Sequence, residues 1–377
     1  MSIAPQQWGI KVALVHDWLN GMRGGEKCLE VLCEMFPNAD LYTLIYEKGK
    51  LSKIIESKNI TTSFIQQMPF GLKKYRYYLP LFPFAIEQFN LNGYDLILSS
   101  SHCVAKGVKN NDSSYHLSYV HTPMRYVWDQ FDTYFRHSRA SIMVKIGAEV
   151  TRSYLQKWDK QTSKRVDTFV CNSQNVRRKI SDYYNRESHV VHPPVDLSFF
   201  RPGAAKESFY LMVGAFAPNK RVDLAVKAFN HLKLPLKIAG TGQDEAYCRS
   251  IAEENIEFHG TLSNKKLLEL YQQARALVFP GEDDFGITPL EAQACRTPVI
   301  AFASGGALET VTEETGVFFE EQKVESLITA IKEMERSWKS FAPEAFKQQM
   351  SRFGRGHYKE QIAHAIDFGY QQWKTGF

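Results

Sequence analysis

With 377 residues, 44% of them hydrophobic and 23% charged, the chain has ordinary globular composition and exceeds the size of one usual domain. That excludes a disordered or fibrous protein and favours two domains with separate cores. The net charge of +5 suits anionic partners such as phosphates or a lipid surface and gives no reason to expect nucleic acid.

In chain order, Lys11–Val15 reads as a buried strand, and the apolar run from Trp8 to Val15 is too short, and interrupted by Lys11, for a signal peptide. A helix is predicted from Glu26 to Phe36, with Leu29, Leu32, Cys33 and Phe36 on one face. The longest apolar run, Leu79–Ile86, holds Pro80 and Pro83, so no bilayer-spanning helix is expected. Strands follow at Leu96–Ser100, Leu117–His121 and Thr168–Asn172, with a helix over Asn175–Tyr184. Two proline-bearing turns, His192–Asp196 and Arg201–Ala205, mark a linker. The second half is expected to place strands at Phe209–Val213, Leu236–Ala239, Ile256–His259, Ala276–Phe279 and Val299–Ala301. Its predicted helices are Val222–Leu232, Glu245–Glu253, Lys265–Ala274, Pro289–Cys295 and Val324–Arg336, before a helical tail over Gly356–Trp373. Strands alternating with helices imply parallel sheets covered on both faces, an α/β protein. The six cysteines, Cys28, Cys33, Cys103, Cys171, Cys248 and Cys295, are scattered and read as buried thiols of a reducing compartment, not as a disulfide framework or zinc site.

Three segments carry residues suited to chemistry. Asn20–Glu26 lies between the first strand and first helix, where Gly24 and Gly25 let backbone amides approach an anion at a helix start. A plain tight turn explains the same residues, since the dinucleotide fingerprint spacing is missing. Phe279–Glu291 runs from a strand end through Glu282, Asp283 and Asp284 to a helix. Thr288 is expected as its N-cap, Pro289 as its first residue and Glu291 at the capping-box position. The cap accounts for Glu291 structurally but leaves the acid cluster at the carboxyl end of a strand unexplained, and ligands of open α/β sheets bind there. Finally, Phe70–Phe84 interleaves Lys73, Lys74 and Arg76 with Tyr75, Tyr77, Tyr78, Phe82 and Phe84. This suits an interfacial surface for anionic lipid, or else an ordinary helix and loop packed on the core. The basic helical stretch from Arg136 to Lys164 is the next candidate for such a surface. Asp17 and Asp129 follow strands, where an aspartate orients a histidine, contacts an acceptor or simply caps a turn.

Asp283–Glu291 resembles the Glu-x7-Glu motif of the retaining family-4 glycosyltransferases, which have the GT-B fold of two Rossmann-like domains facing a cleft. Val213–Lys220 is similar to that family's phosphate-binding strand and turn, and Ala303–Val311 to its next glycine loop. Ser118–Asp129, Asn172–Ser173 and His192–Asp196 resemble segments of a bacterial O-antigen and exopolysaccharide mannosyltransferase subgroup. The resemblance runs from Val12 to about Phe319. It implies an acceptor-side domain over 1–195, a nucleotide-sugar domain over 196–355 and a terminal helix, 356–377, packed back on the first domain.

The resemblance further implies that Glu291 holds the donor ribose, Asp283 faces the donor sugar, Lys220 neutralises the diphosphate and His121 sits near the reacting sugar. Gly24, Gly25, Arg221, Phe285, Gly286, Ile287 and Thr288 would complete the donor site, with Asp17, Arg125 and Asp129 on the acceptor side. Two departures stand out: Asp283 replaces the family glutamate, and Ala215 the usual arginine. No Asp-x-Asp triplet occurs, so neither metal nor cofactor is expected. The implied reaction moves a hexose, mannose from GDP-mannose first and a UDP-hexose second, onto a polyprenyl-diphosphate-linked glycan. The enzyme would be cytoplasmic and peripheral on the inner face of the membrane. A nucleotide-sugar 2-epimerase and an inactive glycosyltransferase-like binding subunit remain rivals. A Rossmann oxidoreductase ranks a distant fourth, lacking the glycine fingerprint and its ribose-binding acid.

Overall fold

The computed structural model describes residues 9–129, 131, 142–203 and 206–376, with residues 142–148 described by backbone alone. The chain divides into two units, one of residues 1–193 and 358–377, the other of residues 194–357.

The first unit is built on a seven-stranded sheet of order β3-β2-β1-β4-β5-β6-β7. Its strands are β1 (Val12–His16), β2 (Asp40–Thr43), β3 (Ile60–Thr62), β4 (Leu96–Ser101), β5 (Tyr115–Val120), β6 (Thr168–Cys171) and β7 (His189–Val190), and every pairing is parallel. Its helices are α1 (Gly24–Met35), α2 (Lys53–Glu56), α3 (Gly71–Lys74), α4 (Phe82–Glu87), α5 (Ile142–Thr162) and α6 (Gln174–Tyr184). Alternate residues of β1 feed opposite faces, as the strand period requires. Val12 and Leu14 pack with Leu29 and Leu32 of α1, whereas Ala13 and Val15 pack with Phe82 and Ile86 of α4 and Trp158 of α5.

The second unit has a six-stranded sheet of order β10-β9-β8-β11-β12-β13, again parallel throughout. Its strands are β8 (Tyr210–Val213), β9 (Leu236–Ala239), β10 (Ile256–Gly260), β11 (Leu277–Phe279), β12 (Val299–Phe302) and β13 (Gly316–Phe319). They alternate with α7 (Val222–Leu232), α8 (Glu245–Ile251), α9 (Asn264–Gln273), α10 (Ile287–Ala294), α11 (Ala307–Thr310), α12 (Val324–Ser337) and α13 (Pro343–Ser351). Tyr210, Met212 and Val278 bury one face against α7 and α12, while Leu211, Leu277 and Phe279 bury the other against α9 and α10. The last helix, α14 (Arg355–Thr375), lays Tyr358, Ile362, Ile366 and Tyr370 into the core of the first unit beside Leu14, Leu98 and Tyr115. Gly369 is required there, because a Cβ would lie 1.9 Å from the Tyr115 hydroxyl.

Both sheets reverse their strand order beside the first strand of the unit, between β1 and β4 and between β8 and β11. In doubly wound sheets ligands bind at the carboxyl ends of strands at such a reversal. Four strands, β2, β3, β7 and β13, have no counterpart in the sequence reading; they hold two to four residues each and lack a long apolar run. All six cysteines are buried and unbridged.

One buried charge pair ties the first unit together. Lys106 lies 2.7 Å from Asp159 Oδ1 on α5, and its ammonium also donates to the Asp159 carbonyl at 2.8 Å. Asp159 Oδ2 accepts from Trp128 Nε1 at 2.8 Å and from the Tyr184 hydroxyl at 2.7 Å. Neither charge reaches water, so removing one partner strands the other. Lys106→Met should lower stability by about 3–5 kcal/mol, read as a shifted urea midpoint of the first unit. A loss below about 1 kcal/mol would show that Trp128 and Tyr184 alone hold the carboxylate.

Candidate functional site

In the second unit, β11 ends at Phe279 and the acid loop follows. The Asp283 carboxylate is ion-paired with Lys220, and Asn219 Nδ2 donates to its other oxygen at 3.4 Å. The turn after β8 and the acid loop are also joined by main chain, Glu282 N–H donating to the Asn219 carbonyl at 3.2 Å. From the third loop, Gly306 N–H donates to the Asp283 carbonyl at 2.8 Å. Side chains would part these loops. A Cβ on Gly281 would lie 2.3 Å from the Asn219 oxygen, and one on Gly306 2.2 Å from Phe285 Cα. The Ser304–Gly306 turn therefore clamps the acid loop from behind.

The helix start differs from the expectation. α10 begins at Ile287 and its N-cap is Gly286, at φ +88°, with no side-chain cap bond. Thr288 is thus inside the first turn and Pro289 is the third helical residue. Glycine alone adopts that backbone cheaply, so the chain enters the helix one residue before the Thr-Pro signal. Glu291 is consequently not a capping-box residue. It is buried, and its Oε2 accepts from the Tyr271 hydroxyl at 3.0 Å. Burial, the charge of Glu291 and this bond push the Tyr271 phenol well above its ordinary value, so it stays a donor.

Two other residues expected at the donor have their side chains engaged within the fold. Phe285 turns its ring into the core, 6.0 Å from Phe353, which leaves only its backbone to serve a ligand. Arg221 does not meet Asp283; at φ +51° it bonds Asp223 at 3.2 Å and Gln322 at 3.4 Å. Gln322 in turn donates to the Pro280 carbonyl at 2.9 Å, so Arg221 braces the acid loop through a neighbour.

In the first unit, the carboxyl ends of β1, β4 and β5 bring together His16, Ser100, His102 and His121. Ser100 Oγ lies 3.0 Å from His16 Nδ1 and 2.8 Å from His121 Nε2. Glu26, in the first turn of α1, places Oε1 3.9 Å from His16 Nε2 and accepts the Arg23 N–H at 3.0 Å. Gly25 brings α1 against both rings: a Cβ there would touch His121 Nε2 and His16 Cε1 at 3.5 Å. Gly24 has open space at its Cβ position. Burial, with the charges of His102, His16 and Arg125, holds His121 well below the usual histidine range, so its ring is neutral. His102 is held down to about 3 by burial first and His16 second.

Asp17, expected on the acceptor side, is spent within the fold. It is fully buried and takes four main-chain donors, from His102, Cys103, Val104 and Ala105 at 2.6, 2.9, 2.6 and 2.8 Å. Its Oδ2 also lies 3.1 Å from His102 Nδ1. Asp129 is paired with Lys179 on α6. The sequence reading missed His16, Ser100, His102 and Tyr271. The one available signal was the His16-Asp17 pair at the end of the first strand.

Around α3 and α4, Lys73, Lys74 and Arg76 are exposed. Tyr77 is 78%, Phe70 70% and Phe84 58% exposed beside them, and Lys74 lies 5.4 Å from the Phe70 ring centre. Tyr75 and Phe82, expected on the same surface, are core residues packed on Trp18. Residues 136 to 141 of the second basic stretch lie outside the described residues; α5 covers that stretch from Ile142 to Thr162. Among the described residues no helix is long and apolar enough to cross a membrane.

Residues 23–199 match Glycosyltransferase Family 4, and residues 195–353 match Glycosyl transferases group 1. The D-inositol 3-phosphate glycosyltransferase of Mycobacteroides abscessus is 27% identical over 240 residues, 56% of this chain and 51% of that protein. A GDP-mannose-dependent monoacylated alpha-(1-6)-phosphatidylinositol monomannoside mannosyltransferase of Corynebacterium glutamicum is 34% identical over 126 residues, 29% of this chain and 33% of that one. The chain spans about half, or less, of the length of the curated relatives it matches. Anabaena Alr3699/HepE, solved in complex with UDP, superposes with TM-score 0.70 at 14% identity over 95% of this chain and 100% of that one. The sucrose-phosphate synthase of Thermosynechococcus elongatus gives TM-score 0.70 at 18% identity over 97% and 100%. Both neighbours share the fold, two Rossmann-like domains of GT-B type. With two family matches running in tandem from residue 23 to residue 353 on that fold, the chain belongs to the family-4 glycosyltransferases.

Proposed function

We propose that the chain is a retaining, metal-independent hexosyltransferase of bacterial surface-polysaccharide synthesis. It would move mannose from GDP-mannose onto a polyprenyl-diphosphate-linked glycan. The observation that carries this reading is the Lys220–Asp283 pair, eight residues before the buried Glu291, on the loop at the carboxyl end of β11. A buried carboxylate with a fixed donor behind it suits two adjacent ribose hydroxyls. In the free protein Asp283 neutralises Lys220. An arriving diphosphate competes for that ammonium and releases the Asp283 carboxylate to the sugar hydroxyls. Lys220 then stabilises charge on the departing diphosphate, the task a metal performs elsewhere. The bond from the anomeric carbon to the phosphate oxygen breaks as the acceptor oxygen bonds on the same face. The leaving phosphate takes the acceptor proton. A relative that is named GDP-mannose-dependent supports mannose, with a UDP-hexose as the second donor. Ala215 and the spent charge of Lys220 favour one other reading, a donor-binding subunit without turnover.

Purified protein given GDP-mannose and a polyprenyl-diphosphate-linked acceptor in saturating EDTA should form product with the donor's anomeric configuration. Loss of activity restored by magnesium or manganese would defeat metal independence, and GDP binding without turnover would favour the binding subunit.

The two acids should separate in calorimetry and kinetics. Glu291→Gln should weaken nucleoside-diphosphate binding by roughly 1.5–3 kcal/mol through lost charge-assisted bonds. Asp283→Ala should abolish most transfer yet leave bare nucleoside-diphosphate binding equal or tighter, because Lys220 loses its internal partner. Equal losses in transfer and binding for Asp283→Ala would place that residue in the scaffold.

We also propose that the exposed basic and aromatic surface of α3 and α4 docks on an anionic leaflet, where the lipid-linked acceptor resides. Three basic residues at about 1 kcal/mol each contribute roughly 3 kcal/mol, enough for reversible docking. Vesicles containing anionic lipid should bind the chain, salt should weaken the binding, and a Lys73→Glu, Lys74→Glu, Arg76→Glu variant should lose it. Binding indifferent to both salt and the triple change would assign docking to another surface.

A further inference from the structure

The Ser100 hydroxyl carries one proton and stands between two imidazole nitrogens, His16 Nδ1 at 3.0 Å and His121 Nε2 at 2.8 Å. No other described residue bonds this hydroxyl, so its proton is satisfied only when it donates to one ring and accepts from the other, which couples the two tautomers. The outer end of the chain is also constrained. His16 is fully buried, and its Nε2 makes no hydrogen bond to a described residue. That nitrogen faces Glu26 Oε1 at 3.9 Å. Burial raises the Glu26 carboxyl, but the nearby His16 ring and the charge of His102 outweigh it and hold the group below its ordinary value. A lone pair on Nε2 pointed at that carboxylate would be repelled, so Nε2 carries a proton whether His16 is neutral or charged.

Two states follow. With His16 neutral, its Nδ1 accepts from Ser100, Ser100 accepts from His121 Nε2–H, and His121 Nδ1 presents a lone pair. With His16 protonated, its Nδ1–H donates to Ser100, Ser100 donates to His121 Nε2, and His121 Nδ1 carries the proton. No bond in the chain lengthens; the hydroxyl rotates and each proton moves one place. The Nδ1 of His121 makes no hydrogen bond to any described residue and is the nitrogen free to meet a ligand.

We propose that Ser100 and His16 are positioning residues that decide whether His121 offers a hydrogen-bond acceptor or a donor at Nδ1, with the protonation of His16 as the input. The consequence for catalysis rests on the reading of His121 as a group beside the donor sugar; the relay itself rests on the first unit alone. The charged and titratable groups around His16 are Glu26 at the start of α1, Asp17 next to it, His102 after β4 and His121 after β5, while Arg23 and Arg125 act on the neighbouring His102 and Arg125 also on His121. His121 is held well below the usual histidine range, so the change expected is one of tautomer and not of charge.

The test is ligand-free, so it succeeds or fails separately from the transferase assay. The full chain is labelled with 15N-histidine, His121 and His16 are assigned by the peaks missing in His121→Gln and His16→Asn, and two-bond proton–nitrogen correlations are followed across the folded pH range. Wild-type His121 should exchange its protonated nitrogen from Nε2 to Nδ1 as His16 takes up a proton. Ser100→Ala should uncouple the two rings, Ser100→Thr should restore the coupling through its hydroxyl, and His16→Asn should leave His121 with one tautomer at every pH. The proposal is overturned if wild-type His121 keeps one tautomer through the folded pH range. Exchange that persists in folded Ser100→Ala, or in His16→Asn should the alanine variant fail to fold, overturns it equally.

Discussion

The chemistry of the first unit depends on one buried carboxylate. Asp17 follows β1 directly and accepts four successive amides of the segment after β4, at 2.6 to 2.9 Å. Four donors on two oxygens replace the water the charge has lost, which is what makes its burial tolerable. The same bonds pin the end of β4 to the end of β1 at the point where the strand order reverses. Ser100 and His102 therefore have fixed positions beside His16, and Lys106 is delivered to Asp159 on the other side of the turn. Trp18 packs its ring edge-on to His102 at 4.3 Å and closes the same corner.

The second unit solves its positioning problem with backbone instead of charge. Three loops at the carboxyl ends of β8, β11 and β12 lie so close that glycine is needed where they touch: Gly281 against the Asn219 oxygen, Gly305 and Gly306 against the acid loop. Gly240 meets the Gly214 oxygen with a Cβ position only 1.8 Å away. Side chains are thereby kept out of the strand ends, and the space goes to Lys220, Asn219 and Asp283. A site assembled this way presents amides and one ion pair on a stiff frame, an arrangement that suits an anion without large reorganisation.

The two units thus differ in how they hold their polar groups. In the first, His102 and His121 are held below the usual histidine range by desolvation and neighbouring charge, and carboxylates supply the fixed charge. In the second, the acids sit where glycine-lined backbone and a single lysine can be shared with a ligand. Both arrangements occupy the strand-order reversal of a parallel sheet, where adjacent loops diverge and leave room for side chains.

Much of this was legible in the sequence. The alternation of apolar runs with helical periods fixed the class and located nine of the strands, because burial on both faces leaves an unmistakable hydrophobic run. Glycine between strand and helix, and the eight-residue step from Asp283 to Glu291, pointed to both strand-end loops. What escaped was everything set by partners distant in the chain. The strands β2, β3, β7 and β13 are too short to carry a period and exist because a longer neighbour supplies their hydrogen bonds. Gly286 displaced Thr288 from the cap because the backbone turn, not side-chain propensity, decided where α10 begins. Tyr75 and Phe82 are interleaved with exposed neighbours in sequence, and only the packing of Trp18 drew them into the core. His16 and Ser100 stand 84 residues apart, and Asp17 lies 85 to 88 residues from the amides it holds. Local composition determined which loops could carry chemistry, while the pairing of β1 with β4 decided which side chains meet there, since a hydrogen bond is specified by position in space and not by distance along the chain.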